Sequence, residues 1–401
     1  MEYWLVTQVE TLHKFTGCSE QLLSMAVVKP KKLAEANIVR GMRVVLRANL
    51  NAPIENGHIT DSFRIDEALK TIQHLSELGA RTVIIGHSST PGASLLPVYE
   101  EITKTVRVTF AEDPVSKECK KKVGLLSEGE SVLFENLRKN PGEERNVDLF
   151  SRELASFGEI FVNDDFSSAH RPHASVVGIP KYLPSYMGLR FECEYENLSR
   201  AFNPEHPAVV VLGGSKTATK LPIALRLAGS TDHVFIAGVS GSVLLQAKGR
   251  NIGQSVVDVV PNSIVRNVLA QKNITTYSDV LVVDSDGDEL VVSADHVMED
   301  NTIVDAGPET TASIVEAISR AAFVLWNGPL GWYEKGYITA THEVARAIAR
   351  SNAYSVVGGG DTRIALKTTG VEKEISFYST AGGAMLEFLS NKTLPGIEAL
   401  V

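Results

Sequence analysis

The sequence predicts an α/β protein of two similar Rossmann-like lobes, each built on a parallel sheet, joined by an interdomain helix and hinge. Three observations predict it. Short Val- and Ile-rich runs recur along the chain and end in loops bearing Gly, His or Arg; helix-length segments separate them; and the runs fall into two series divided near Pro204. Alternation of buried strands with helices is the signature of βαβ units around a parallel sheet. At 401 residues the chain is long for one core, since about 150 residues is the usual domain prior.

The elements follow in order. Residues 1–30 form an N-terminal extension in which Trp4, Leu5, Val9, Leu12 and Phe15 fall at helical spacing, which predicts an amphipathic packing helix. With Glu2 and no basic region ahead of an apolar run, the segment does not read as a secretory signal, and Met25 offers a second start. The first series runs Val44 to Ala48, Val83 to His87, Val132 to Asn136 and Ile160 to Asp164, with Arg64 to Gly79 as an intervening helix. Gly188 to Asn203 carries no interior Gly or Pro and predicts a helical connector. The second series runs Val209 to Gly214, Val234 to Gly238, Val280 to Val283, Phe323 to Gly328, Ser355 to Asp361 and Ser376 to Gly383.

Composition narrows the function. Apolar residues make up 44% and charged residues 22% of the chain, ordinary values for a globular protein. No apolar run approaches the roughly 18 residues a membrane helix needs. A net charge of -9 argues against a nucleic-acid surface, which requires clustered Lys and Arg, but leaves room for a locally positive cleft. Cys18, Cys119 and Cys193 are odd in number and lack metal-type spacing. They read as reduced thiols of a cytoplasmic protein.

The strand-end loops of the two halves differ. Those of the first half carry His87, Arg138, His170, Arg171 and His173, and the stretch Phe161 to Gly178 alone holds two acids, two histidines and an arginine. Taken singly, such a loop is as readily a solvated surface. The second half carries glycines at 213, 214, 238, 328, 358–360, 382 and 383. Glycine lets backbone N–H groups approach a ligand, helix starts favour phosphate, and arginine clamps carboxylate or phosphate bidentately. The pattern predicts a small acid on one lobe and a nucleotide on the other.

Gly213 to Lys220 is not a P-loop, because Ser215 rather than Gly precedes Lys216. What remains is a pair of lysines, Lys216 and Lys220, one helical turn apart near a helix start, where the macrodipole disfavours cations unless an anion joins them. Gly358, Gly359, Gly360 and Asp361 close a strand. Three glycines there suit a backbone brought close to phosphate, with Asp361 set to bind magnesium or its water. Glu334, after Asn327 and its turn, suits ribose. There is no HExxH pair or Gx[SC]xG elbow, so metallohydrolase and acyl-serine chemistry lack support.

Taken together, RVVLRANLNAP, ITDSFRIDEAL, LFENLRKNPGEE, VNDDFSSAHRPHASVVG, LGGSKTATK, DAGPET, WNGPLGWYE, VVGGGD and STAGGAMLEFL resemble phosphoglycerate kinases in order and spacing, over roughly Val39 to Val401. The LNAP form is similar to archaeal members. The resemblance implies phosphoryl exchange between 1,3-bisphosphoglycerate and ADP, with Mg2+ and ATP/ADP, in a cytoplasmic monomer. It implies a glycerate lobe over 31–187, a connector over 188–203, a nucleotide lobe over 204–378, and a final segment, 379–401, that returns to the first lobe. Carried over by motif, Asn49, Asn51, Arg64, His87, Thr90, Arg138 and Arg171 occupy the glycerate positions. Gly214, Lys216, Lys220, Gly238, Asn327, Glu334, Gly358, Gly359, Gly360, Asp361 and Thr362 occupy the nucleotide positions, with Asp361 at the metal. Arg64 and Lys220, with N–H groups of Gly359, Gly360, Gly382 and Gly383, meet the transferring phosphoryl.

Four positions depart from the family pattern. Asn49 replaces a substrate-binding Asp, Thr90 a phosphate-binding Arg, Thr219 an acid and Ala381 a glycine. The departures at Asn49 and Thr90 fall on the substrate side; a kinase of a different carboxylate and a non-catalytic nucleotide binder are the alternatives. Lys139, directly after Arg138, is expected to replace the charge absent at Thr90.

Overall fold

The computed structural model describes residues 29–401; the N-terminal packing helix expected from Trp4 to Phe15, Cys18 and the Met25 start lie outside them. The first half forms β1 (Arg43–Arg47), β2 (Ile54–Glu55), β3 (His58–Ile59), β4 (Arg81–Ile85), β5 (Val108–Ala111), β6 (Ser131–Phe134), β7 (Ile160–Asn163) and β8 (Ser185–Met187). Six of these make a parallel sheet in the order β5-β6-β4-β1-β7-β8, while β2 and β3 pair as a small hairpin. Strands β1, β6 and β7 are buried on nearly every residue. That is why they read as continuous apolar runs rather than alternating ones.

The second half forms β9 (Ala208–Leu212), β10 (His233–Ile236), β11 (Ile274–Thr275), β12 (Asp279–Val283), β13 (Glu289–Ser293), β14 (Thr302–Ala306), β15 (Phe323–Asn327), β16 (Tyr354–Gly358) and β17 (Phe377–Ser379). Its parallel sheet runs β11-β10-β9-β15-β16-β17. This is the 3-2-1-4-5-6 order of doubly wound sheets, whose ligands sit where the order reverses. In the first sheet one strand is inserted, so the lobes share a layering but not a strand order.

The expected strand Val280 to Val283 needs correction. It belongs to neither parallel sheet: β12 pairs antiparallel with both β13 and β14 in a separate three-stranded sheet. The polar stretch between β12 and β13 turns the chain back, with the Asp284 N–H donating to the Asp288 carbonyl at 3.1 Å, and a short apolar run cannot reveal its pairing partner.

Between the two sheets the chain forms a helix over Leu189–Ser199 followed by a turn of 3-10 helix over Arg200–Phe202. Around it one apolar core is continuous between the two sheets, running from Val45 and Phe161 to Val210 and Leu212. Its centre is aromatic. Phe166 lies 5.0 Å from Phe191 and 5.5 Å from Phe388, and Phe202 lies 5.4 Å from Phe388. Each fully buried ring contributes about 1.5–3 kcal/mol, so the junction is a packed core. Phe388 comes from the helix Gly383–Asn391. Beyond it the Gly396 N–H donates to the Ala169 carbonyl at 2.8 Å and the Lys31 N–H to the Leu400 carbonyl at 3.3 Å.

Candidate functional site

Parallel strands present their carboxyl ends to one side, and the register of β15 brings its end level with both neighbours: Asn327 pairs with Leu212 and with Gly358. The turns after β9, β15 and β16 therefore stand side by side. Gly238 shows why glycine is needed there. Its φ is 61°, and a Cβ would run into the backbone of Gly214. Gly359, at φ 110°, precedes the helix Gly360–Thr369. The turns are tied from beneath. The Gly328 N–H donates to Thr362 Oγ1 at 2.9 Å, Asn327 Nδ2 to the Gly358 carbonyl at 3.0 Å, and Tyr277 Oη to the Gly238 carbonyl at 3.1 Å.

Two cavities meet at Asp361. One, of about 290 Å³, is lined by Gly214, Gly238, Tyr277, Pro329, Glu334 and Asp361 among others. The other, of about 530 Å³, lies between the two halves. Its lining joins Asn51, Arg64 and Thr90 from the first half to Gly359, Gly360, Asp361 and Gly382 from the second. Asp61, Arg363 and Lys367 line it as well, and motif reading missed all three. Arg64, at the first turn of the helix Phe63–Glu77, is aimed by a 2.7 Å hydrogen bond from its Nη1 to the Asn51 carbonyl. Asn51 Oδ1 in turn accepts from the Ser89 N–H at 2.8 Å.

Lys220 is buried, and the Asn327 carbonyl, 3.4 Å from its Nζ, is its one hydrogen-bond partner among the described residues. Burial first, and then Lys216, push its ammonium down to about 8. A cation held that way is a ready acceptor of an anion's field. Lys216 is exposed just before the helix Thr217–Ala228. The first amide of that helix, from Thr217, donates to the Asp258 carboxylate at 3.0 Å, an internal anion at a helix start. Gly383 begins the helix that ends in Asn391, and a Cβ there would lie 4.0 Å from His170 Nε2.

The remaining sequence-predicted residues gather as a cationic cluster at the ends of β1, β4, β6 and β7. Arg47, another residue that motif reading missed, is 1% exposed and forms an ion pair with buried Asp165, while its Nη2 lies 3.3 Å from His87 Nδ1. Burial opposes the Asp165 charge, but Arg47 outweighs it and holds the carboxyl far below the usual range. Burial, followed by Arg47, pushes His87 well down, so its imidazole is neutral. Burial and the neighbouring Arg171 lower Arg138, and burial with Arg47, Arg138 and Arg171 pushes His173 down to about 4. The cations of this cluster feel one another. Among the described residues Asn49 Oδ1, Arg138 Nε, His170 Nδ1 and His173 Nδ1 are buried without a hydrogen-bond partner, although Arg138 Nε lies 3.4 Å from the Glu144 carboxylate and His173 Nδ1 3.8 Å from that of Glu143.

Lys139 does not serve as the substitute cation. Its Nζ is bound to Glu135, four residues back in the loop after β6, at 2.7 Å, and it is absent from the cleft lining that contains Thr90. Glu135 also accepts from the Leu95 and Asn136 N–H groups, both at 2.7 Å, so it is a fixed local anchor for Lys139.

Between the halves runs a second ionic network. Arg190, on the connector helix, donates to Glu67 at 2.7 Å, to Glu194 at 2.8 Å and to the Tyr378 carbonyl at 2.7 Å. Glu194 accepts from Ser379 Oγ, from the Thr380 N–H and from Thr380 Oγ1, each at 2.7 Å. At the start of the same helix Asp164 Oδ1 accepts the Arg190 N–H at 2.7 Å and the Phe191 N–H at 3.3 Å, and Oδ2 has no partner. Burial pushes this carboxyl up to about 7 from 3.8. Between those values the folded state holds the extra proton, so the stability Asp164 contributes falls as pH rises through the window. Asp164→Asn is expected to remove that dependence: its melting temperature relative to the parent should be higher at pH 8 than at pH 5, reflecting on the order of 3 kcal/mol over that interval. A difference independent of pH would show that Asp164 does not titrate there.

Two parallel sheets that turn their carboxyl ends toward one cleft, with an arginine on one wall and glycine turns on the other, define a two-lobed phosphotransferase. The comparisons give the family: the phosphoglycerate kinase profile matches residues 34–392, and the chain belongs to that family. It is 35% identical over 392 residues to the phosphoglycerate kinase of Methylorubrum populi (92% of this chain, 98% of that protein). With that of Xanthobacter autotrophicus it is 38% identical over 379 residues (89% and 96%). Its fold matches the phosphoglycerate kinase structure from Coxiella burnetii with a TM-score of 0.80 at 34% identity, covering 91% of this chain and 97% of that one. The Pyrococcus horikoshii structure matches with a TM-score of 0.79 at 29% identity, covering 92% and 98%.

Proposed function

We propose that the chain transfers a phosphoryl group reversibly between 1,3-bisphosphoglycerate and ADP, giving 3-phosphoglycerate and ATP, as a cytoplasmic monomer that uses magnesium. The observation that carries this reading is the 530 Å³ cleft in which Arg64 and Asn51 face Gly359, Gly360 and Asp361. A glycerate carboxylate held by the first wall and a nucleotide phosphate held by the second would meet there.

Both reacting groups are oxyanions, so no general base is needed and catalysis reduces to positioning and charge stabilisation. Arg64 and Lys220 supply the positive charge, and the N–H groups of Gly359, Gly360, Gly382 and Gly383 supply fixed donors. Gly214, Gly238 and Glu334 line the nucleotide's cavity; Lys216, exposed at the neighbouring helix start, would reach toward its phosphates, while Asn327, Gly358 and Thr362 brace the turns. His87, Arg138 and Arg171, with Asn49, receive the phosphate end of the glycerate. The two ligands lie on different lobes, so closure must align them and exclude water that would hydrolyse the acyl phosphate.

Magnesium fits Asp361. That carboxylate faces both cavities, and among the described residues no group of three His, Cys, Asp or Glu side chains forms an all-protein cage. Magnesium characteristically keeps its waters and takes one or two carboxylates plus substrate phosphates. When bound it would neutralise phosphate charge. Among the described residues no helix is long and apolar enough to cross a membrane, and Cys119 and Cys193 form no disulfide.

With Thr90 in place of an arginine and Lys139 engaged elsewhere, Arg138 and Arg171 carry the distal phosphate. Arg171→Ala is expected to raise the KM for 3-phosphoglycerate about 10- to 100-fold, from the loss of roughly 1.5–3 kcal/mol of charge-assisted bonding. An unchanged KM would remove Arg171 from the site. A coupled assay with magnesium, ATP and 3-phosphoglycerate tests the function itself, with glycerate as the competing substrate. Turnover with glycerate alone would favour a carboxylate kinase, and no turnover with ADP still bound would favour a nucleotide-binding protein.

A further inference from the structure

Arg363 is the most heavily engaged cation in the cleft, and the reaction as derived above gives it no task. It lies two residues beyond Asp361, and its N–H donates to the Gly359 carbonyl at 3.1 Å. Its guanidinium forms an ion pair with Asp61, a residue of the opposite lobe 302 positions away in sequence. On its own lobe, Nε donates to Glu372 at 3.1 Å. The planar face lies over the Phe63 ring, with the guanidinium carbon 4.0 Å from the ring centre, and Tyr378 lies 5.8 Å away. Phe63 and Tyr378 meet edge to face at 5.9 Å, and Tyr378 Oη donates to the Gly359 carbonyl at 2.7 Å.

The far end of this clasp is the helix start that carries Arg64. Asp61 Oδ1 accepts the Phe63 N–H at 3.1 Å, so the carboxylate that grips Arg363 also holds the first turn. Arg64 is the next residue. Besides Arg363, Lys367 is the cation that acts on Asp61; burial opposes ionisation, but the Phe63 N–H and these charges outweigh it and hold the carboxyl below its usual value.

We propose that Arg363 is a cross-cleft positioning residue: by gripping Asp61 and stacking on Phe63, it fixes the first turn of the Arg64 helix against the Gly359–Asp361 turn, so that Arg64 meets the phosphoryl group when the lobes come together. The proposal rests on the phosphoryl-transfer reading above and adds to it a residue that touches neither substrate. The device needs arginine. A lysine would keep the charge but lose the fork that serves Asp61 and Glu372 together and the flat face on Phe63.

The test compares the full-length parent, Asp61→Asn, Arg363→Met, Arg363→Lys and the Asp61→Asn/Arg363→Met double variant by steady-state kinetics with 3-phosphoglycerate and magnesium ATP, and by calorimetry with ADP. Each single variant should lower kcat by roughly 10- to 100-fold, as expected for a misplaced reacting group, while the ADP Kd stays within about twofold. The double variant should be no slower than the worse single one, because both remove the same contact. Arg363→Lys should recover little of the lost kcat. Unchanged kcat, or losses that multiply in the double variant, would overturn the proposal. Phe63→Leu, which removes the stack and leaves the ion pair, must lower kcat in the same way, and it decides the matter if Arg363→Met fails to fold. A parent without 3-phosphoglycerate-dependent turnover would instead sink the functional reading, a distinguishable result.

Discussion

Arg64→Ala is expected to lower kcat by about 10³-fold or more, the scale on which a positioned arginine acts in phosphoryl transfer, while ADP affinity stays close to the parent's. The split follows from geometry. Arg64 stands on the wall of the cleft shared with Asn51 and Thr90, and it does not line the 290 Å³ cavity bounded by Gly214, Gly238 and Glu334. Its charge therefore acts where the two ligands meet and not where the nucleotide is anchored. Arg64→Lys should restore only part of the rate, because an ammonium lacks the fork that spans two phosphoryl oxygens. Steady-state kinetics with calorimetric ADP titration check this; full turnover in Arg64→Ala would take Arg64 out of the mechanism.

Lys220→Met should move activity and stability in opposite directions. Lys220 is 4% exposed and one protein carbonyl faces its ammonium, so in the free protein the charge is a cost. Its folded pKa, about 8 against an ordinary 10.5, makes the sign explicit. Between those values the unfolded chain binds more protons, so stability rises with pH across the window, and below about 8 the full penalty is present. That penalty is on the order of 3 kcal/mol at about 1.4 kcal/mol per unit, so removing the charge should raise the melting temperature at pH 7 by several degrees. Turnover should fall by about 10²-fold or more, because the same charge that costs stability stabilises the transferring phosphoryl. A stability–activity trade of this kind is common at catalytic sites. Lower melting temperature with retained turnover would refute both halves.

These effects show how far the sequence alone reaches. The runs at Val44, Val83, Val132 and Ile160, and those at Val209, Val234, Phe323 and Ser355, are legible as strands because strands buried on both faces are apolar throughout. Their ligand-facing ends are legible because glycine and arginine stand where a buried strand must stop. Strand β12 misleads for the same reason: burial leaves the same signature in an antiparallel partner. Contacts between distant residues are not legible. Arg363 reads as one more helical cation after a glycine turn until its partner Asp61, 302 positions earlier, is brought beside it. Arg47 reads as a strand residue until burial forces its pairing with Asp165. Lys139 errs in the other direction. Adjacency to Arg138 suggests a shared task, whereas the acid four residues earlier, in the loop that follows β6, captures it.

Direct transfer across the cleft, from a nucleotide on one lobe to a glycerate carboxylate on the other, is the claim on which the rest depends. The most direct measurement incubates the protein with magnesium ATP, 3-phosphoglycerate and hydroxylamine, and counts ADP against the hydroxamate formed when hydroxylamine traps the acyl phosphate. Equal amounts of ADP and hydroxamate, both abolished by Arg64→Ala, are the predicted result. ADP formed without hydroxamate, or without any need for 3-phosphoglycerate, would contradict the account.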